Sequence, residues 1–219
     1  AGDPGARREV LGELVARILQ IFDEARAWHE TAFAALGAEE RDFLERERWR
    51  LSEAFESEIY LHLDADAARF RANRRLIDLA LEVDPAALAE AAARLALLCD
   101  PEWARSAGEF VHAALGDSIH AGILFDLPTD HGRIVIARTH PSWNRDYDIA
   151  FLLDLGGNDF YTGNCGGSQG WELPLAVCID LEGDDAYEST SPACQGSGCL
   201  GVGGLLDAAG DDRYIGPQW

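Results

Sequence analysis

The sequence predicts an α+β protein in which an N-terminal α-helical domain precedes a short right-handed parallel β-solenoid. Two observations carry this expectation. Apolar residues recur at helical spacing as far as Gly116 and lose that spacing beyond it, and an eight-residue motif rich in Asp and Gly returns three times in the C-terminal half. The expected division is a helical cap over residues 1–116 and repeats over 117–219. A degenerate copy is placed at 121–148 and full copies at 149–174, 175–201 and 202–219.

Leu11, Leu14, Ile18, Ile21, Phe22, Ala25 and Trp28 mark a first amphipathic helix that starts near Ala6 and is expected to end at Gly37. A second is expected from about Ala38 to His62, with Phe43, Leu44, Leu51, Phe55 and Ile59 on its apolar side, and a third from Asp64 to Val83. Asp84-Pro85 and Asp100-Pro101 each place an N-cap acceptor before a proline whose missing N–H needs no partner in a first turn. Each therefore opens a helix, the second of them ending at Gly116. From Ala121 onward, runs of three to five apolar residues are each followed by an Asp and a Gly-rich turn, which is the pattern of short strands.

The three copies read Asp154-Leu-Gly-Gly-Asn158-Asp159-Phe-Tyr161, Asp180-Leu-Glu-Gly-Asp184-Asp185-Ala-Tyr187 and Asp207-Ala-Ala-Gly-Asp211-Asp212-Arg-Tyr214. Their spacings are 26 (180 − 154) and 27 (207 − 180) residues. Asp126 to His131 fits the same frame earlier in the chain, without the Tyr. A unit of this length with strands too short for hairpins suits one turn of a parallel solenoid, in which equivalent positions stack about 4.8 Å apart. Asp154, Asp180 and Asp207 would form one column, Asn158, Asp184 and Asp211 a second, and Asp159, Asp185 and Asp212 a third. Like charges at that spacing repel. The segment from Asp154 to Trp219 has a single basic residue, Arg213, so a cation is the expected remedy. Carboxylates with turn carbonyls form the oxygen-only set that Ca²⁺ accepts. Another cation fits the same set, and so does a metal-free arrangement in which each Asp caps its own turn.

Gly156-Gly157-Asn158-Asp159-Phe-Tyr161-Thr-Gly163 resembles the nonapeptides of RTX, or haemolysin-type, calcium-binding β-rolls. The resemblance covers residues 154–219 and differs in period, nine residues in that family against 26 or 27 here. It implies a secreted protein whose repeats fold on meeting calcium outside the cell, with turn Asp carboxylates and Gly carbonyls as ligands.

Composition narrows the function classes. A formal charge of −21, from 39 acidic against 18 basic residues, argues against a phosphate-backbone partner, and no apolar run approaches the roughly 18 residues of a membrane span. With 47% hydrophobic residues the chain has enough apolar material for a core. Ala1-Gly2-Asp3-Pro4 without an initiator Met suits the product of signal-peptide or proteolytic cleavage, and a trimmed fragment equally. Five Cys leave at least one unpaired within the chain; Cys165 and Cys194 align and are spaced for a disulfide or an apolar column.

Other constellations are weaker. Glu109/His112 and Glu58/His62 are single helical pairs where a carboxylate-bridged di-iron bundle needs two pairs and further Glu, and His29-Glu30 lacks the second His of a zincin. His120, His131 and His140 cluster where the two halves meet. No nucleophile elbow and no phosphate loop is present. Tyr161, Tyr187 and Tyr214 form a column that suits packing or a sugar platform.

These observations lead to an expected function: a calcium-stabilised, non-catalytic structural, adhesion or interaction module of an exported bacterial protein, located in the periplasm, at the cell surface or outside the cell. The expected metal ligands are the nine residues of the three columns. The last copy is also expected to offer an edge for further repeats, a protein partner or self-association. The alternative is a carbohydrate-active β-helix enzyme, a polysaccharide lyase or hydrolase using an acid pair. Repetition of the acids on every copy speaks against a catalytic pair that would occur once.

Overall fold

The computed structural model describes residues 9–48, 67–139, 143–144, 148–189 and 195–216. Among the described residues, five helices come first. Helix α1, Gly12–Ala32, buries Val15, Ile18, Ile21, Phe22, Ala25, His29 and Ala32 along one face. Helix α2 is Ala38–Glu47 and α3 is Ala67–Ala80. Leu51, Phe55, Glu58, Ile59 and His62, expected in the second helix, lie outside the described residues. Gly37 does not end α1, as its spacing suggested, but opens α2. It is extended (φ −74°, ψ 174°), and its N–H donates to Glu40 Oε2 at 2.7 Å, a carboxylate reaching back one turn.

The two Asp-Pro starts hold. Asp84 accepts from the Ala86 and Ala87 N–H groups and opens α4, Pro85–Ala96; Asp100 accepts from Glu102 and Trp103 and opens α5, Pro101–Leu115. Each cap satisfies donors that a helix cannot satisfy internally and is worth about 1 kcal/mol. No helix among the described residues is long and apolar enough to cross a membrane.

Among the described residues, nine strands follow in two sheets. The first sheet has the order β1 (Gly122–Thr129), β2 (Gly132–Arg138), β4 (Ile149–Asp154), β6 (Leu175–Asp180), β8 (Val202–Asp207). The second has the order β3 (Trp143–Asn144), β5 (Phe160–Thr162), β7 (Ala186–Glu188), β9 (Arg213–Ile215). All pairs are parallel except β1–β2.

This arrangement keeps the α+β class and its helical N-terminal part but overturns the right-handed parallel β-solenoid expected over 117–219. The strands form one mixed sheet and one parallel sheet. The region expected to be a degenerate first coil, 121–148, is instead largely an antiparallel hairpin. The Thr129 hydroxyl donates to the Gly132 carbonyl and accepts from the His131 N–H at 3.1 Å, and Gly132 takes φ +113°, so the chain reverses over two residues. A two-residue link can join only antiparallel neighbours.

Burial alternates along the first sheet. Ile134, Ile136, Phe151, Leu153, Val177 and Ile179 pack with α1, α4 and α5, while Val135, Ala137, Leu152 and Cys178 pack with Tyr161 and Tyr187 of the second sheet. A sheet covered on both faces reads as unbroken apolar runs, which is how Phe151-Leu-Leu153 and Val177-Cys-Ile179 read. A second apolar cluster ties the loops between strands to the helices. Trp171 sits edge-on to Phe33 with centroids 4.9 Å apart and donates through Nε1 to the Arg41 carbonyl at 2.9 Å, and His29 Nε2 lies 2.8 Å from the Leu200 carbonyl.

Candidate metal centre

The register of the sheets places the repeated residues side by side. Asp154, Asp180 and Asp207 are paired neighbours at the ends of β4, β6 and β8, and Tyr161, Tyr187 and Tyr214 are paired neighbours in β5, β7 and β9. Between them the chain makes a tight turn through the motif glycine. A Cβ on Gly183 would overlap the Gly157 carbonyl, and one on Gly210 the Gly183 carbonyl, so the copies approach closely enough there to exclude any side chain.

Each column of acids uses its oxygens differently. Asp154 Oδ1 accepts from the Gly156 N–H at 3.2 Å and Asp180 Oδ1 from the Glu182 N–H at 3.1 Å, so the first column caps its own turns. The second column runs along the surface: Asn158 Oδ1 accepts from the Asp184 N–H at 3.2 Å, and Asp184 Oδ1 from the Asp211 N–H at 3.0 Å. In the third the direction reverses, with Asp185 Oδ1 accepting from the Asp159 N–H at 2.5 Å and Asp212 Oδ1 from the Asp185 N–H at 2.9 Å. The carboxylates therefore stitch one copy to the next, beyond the turn-capping that a single Asp performs.

The first and third columns converge. Carboxylate oxygens of Asp154, Asp159 and Asp180 lie within 4.8 Å of one another, and so do those of Asp185, Asp207 and Asp212. Two groups of acids, the first wholly buried and the second partly, are thus placed to hold a metal ion. Asn158, Asp184 and Asp211 stand apart from them, exposed on the surface. In the second group Asp185 Oδ2 and Asp207 Oδ1 are buried and make no close hydrogen bond, and the buried Tyr187 hydroxyl faces Asp207 and Asp180.

Three tyrosines complete the ladder, with a role beyond the packing or sugar platform that their column suggests. The Tyr161 hydroxyl lies 3.3 Å from Asp154 Oδ2 and in hydrogen-bond contact with Asp180 Oδ2, and the Tyr214 hydroxyl donates to Asp207 Oδ2 at 2.5 Å. The rings stack with centroids 4.6 and 4.8 Å apart and interplanar angles of 5° and 3°. The signal in the sequence is the constant seven-residue step from the first Asp to the Tyr (161 − 154, 187 − 180, 214 − 207). It carries the chain from the end of one sheet to the facing strand of the other.

Electrostatics follow from burial. Desolvation, the largest effect, pushes the Asp180 carboxyl up to about 9; the Tyr161 hydrogen bond opposes this, and Asp154, Asp185 and Asp207 add to it. Burial pushes Asp185 up to about 6 against the hydrogen bond from Asp159, and burial also raises Asp207. The same desolvation, with the neighbouring Cys178 and carboxylates, holds the Tyr161 and Tyr187 hydroxyls far above their ordinary value, so both remain donors. A carboxyl held near 9 carries a proton at neutral pH.

Among the described residues the remaining candidates do not assemble. Glu109 and His112 are exposed on α5, and His120 folds back on the Ser118 carbonyl at 2.9 Å. His131 pairs with Asp23 at 2.7 Å, and His62 and His140 lie outside the described residues. Cys165 and Cys178 join the cluster between the sheets; Cys194, the expected partner of Cys165, lies outside the described residues. Comparison with protein-family models, with curated proteins and with solved structures gives no match.

Proposed function

We propose that the protein is a calcium-stabilised, non-catalytic structural or interaction module of an exported protein, related in the logic of its turns to the RTX repeats its motif resembles. The observation that carries this reading is the group of three carboxylates, Asp185, Asp207 and Asp212, supplied by adjacent copies, whose oxygens lie within 4.8 Å of one another, with Asp185 Oδ2 and Asp207 Oδ1 buried. Leaving such oxygens buried costs about 1–3 kcal/mol each, more when charged, and a shared cation removes that cost. Oxygen donors alone, with backbone carbonyls of Gly-rich turns close by, favour Ca²⁺ over a metal that prefers nitrogen or sulfur. Asp185, Asp207 and Asp212 are the ligands of the second group, and Asp154, Asp159 and Asp180 those of the first. Recurrence of the acids on each copy suits stabilisation better than a reaction, which needs one acid and one base at one place.

The test is metal analysis of protein purified without chelator, with thermal melts in calcium and in EDTA. A ligand at a hundredfold excess over its dissociation constant stabilises by about 2.7 kcal/mol, and in a domain of this size each kcal/mol moves the midpoint by about 2–4 °C. Calcium should raise the midpoint by roughly 5–10 °C, and the double variant Asp185→Asn/Asp207→Asn should lose most of that rise. Identical melts in both buffers, with no bound metal found, would refute the reading.

A further inference from the structure

We infer that the outer face of the third copy, formed by β8, the turn at 208–212 and β9, docks a polypeptide segment carrying one more Asp-x-x-Gly-Asp-Asp-x-Tyr motif in parallel register. The contacts between copies inside the molecule specify that occupant group by group. The Asp154 carbonyl accepts from the Leu181 N–H at 3.1 Å, and that of Asp180 from the Ala208 N–H at 2.9 Å. The Gly157 N–H donates to the Glu182 carbonyl at 2.8 Å, and the Gly183 N–H to that of Ala209 at 3.0 Å. The Asp159 carbonyl accepts from Ala186 at 3.0 Å, and that of Asp185 from Arg213 at 2.9 Å. With the side-chain bonds of the second and third columns, each interface uses the same set twice over.

On the third copy the matching groups are the carbonyls of Asp207 and Asp212, the N–H groups of Gly210 and Asp212, and the Asp211 carboxylate. No further copy stands beyond them among the described residues. The Tyr ladder ends there as well: Tyr161 and Tyr187 are 1% and 0% exposed, whereas Tyr214 is 52% exposed and offers a bare ring face beside Ile215. A parallel edge with unused donors and acceptors templates another strand, and a stacked aromatic adds to it.

A second folded molecule does not supply the matching face. The opposite side of the first copy is covered, since the Leu155 N–H donates to the Ala137 carbonyl and the Thr139 N–H to the Gly156 carbonyl, each at 2.9 Å. Two copies of this face could meet outer face to outer face about a twofold axis. Their strands would then run antiparallel, opposite to the parallel register in which the copies pair inside the molecule and in which the Asp211 and Asp212 groups find amide partners. The occupant is an unpaired segment bearing the motif. This inference rests on reading the protein as an interaction module and not on the cation: a chain that binds no calcium yet takes the segment keeps it.

The probe is a synthetic peptide with the sequence of residues 202–215, added to the full chain in millimolar calcium and, separately, in EDTA. Amide hydrogen exchange is followed by mass spectrometry. Exchange over 207–215 should slow by about tenfold or more at saturating peptide, in at least one buffer. A control peptide with Val in place of its motif glycine should have no effect, because a side chain there meets the carbonyl of the copy before it. No slowing in either buffer overturns the inference, and so does equal slowing by both peptides. Protection without peptide, in a protein that sediments as a dimer, would assign the face to a second copy and overturn it too.

Discussion

Stability of the metal-free protein should fall as pH rises from 6 to 8, and calcium should reverse that dependence. The group responsible is Asp180, whose carboxyl is held at about 9 in the fold against 3.8 when exposed. A folded value raised above the unfolded one means that the folded chain binds the extra proton. The stabilisation is complete below about 4 and is lost as pH rises through 9. Between pH 6 and 8 the folded state holds one proton on Asp180 that the unfolded state lacks, so stability falls by about 1.4 kcal/mol per pH unit, roughly 3 kcal/mol over the interval. Asp185, at about 6, adds a smaller loss near the lower end. In a domain of this size the sum corresponds to a midpoint lower by about 6–12 °C at pH 8 than at pH 6. With calcium present the ion competes with those protons, so higher pH favours binding and the midpoint rises instead. Thermal melts at the two pH values, in EDTA and in millimolar calcium, read the effect directly. Asp180→Asn, which fixes a neutral group at that place, should flatten the EDTA profile. A wild-type midpoint in EDTA that is unchanged or higher at pH 8 would refute the account of how the acid column is neutralised.

Two further outcomes follow from the packing. Gly183→Ala puts a Cβ on the Gly157 carbonyl and forces two copies apart, so it should cost about 2 kcal/mol or more in urea unfolding, well beyond the propensity difference between the two residues. Tyr161→Phe removes the hydroxyl that lies between Asp154 and Asp180 and should cost about 1–3 kcal/mol, whereas Tyr187→Phe removes a hydroxyl that faces Asp207 without a close hydrogen bond and should cost less in EDTA. Equal losses for the two Phe variants would mean that the hydroxyls are equivalent and that the asymmetry in their hydrogen bonding is not real.

Local chemistry was legible in the sequence wherever a residue acts on its own backbone. Asp84 and Asp100 cap helices as their Asp-Pro spacing requires, and the repeat frame placed Asp154, Asp180 and Asp207 in register. Gly37 was misread because glycine after an apolar helical run signals a C-cap, while the competing signal, Glu40 three residues on, acts through a long side chain across a turn. The hairpin at β1–β2 was missed for a different reason. Asp126 to His131 matches the repeat frame, but Thr129 and Gly132 decide the chain direction, and a motif match says nothing about direction. The convergence of the first and third acid columns, with the second left outside, depends on how two sheets face each other, which no spacing along one strand encodes. The tyrosine hydroxyls belong to the same class: a seven-residue step is visible, but its meeting with a carboxylate across the sheets is tertiary.

The strands of the first sheet are not equally enclosed. β4 and β6 lie almost wholly out of water, β8 is half-covered along its whole length, and β9 in the second sheet is exposed. What β8 and β9 lack among the described residues is a strand on their outer edge, for α4 packs against β8; each copy also meets the one before it through its backbone, its acids and its tyrosine. A duplicated unit of 26 or 27 residues would bring with it nearly everything the next position demands of it. The turn and strand contacts of the ladder could therefore be extended by duplicating a unit, whereas the loops that carry Trp171 and Leu200 are fitted to particular helix residues.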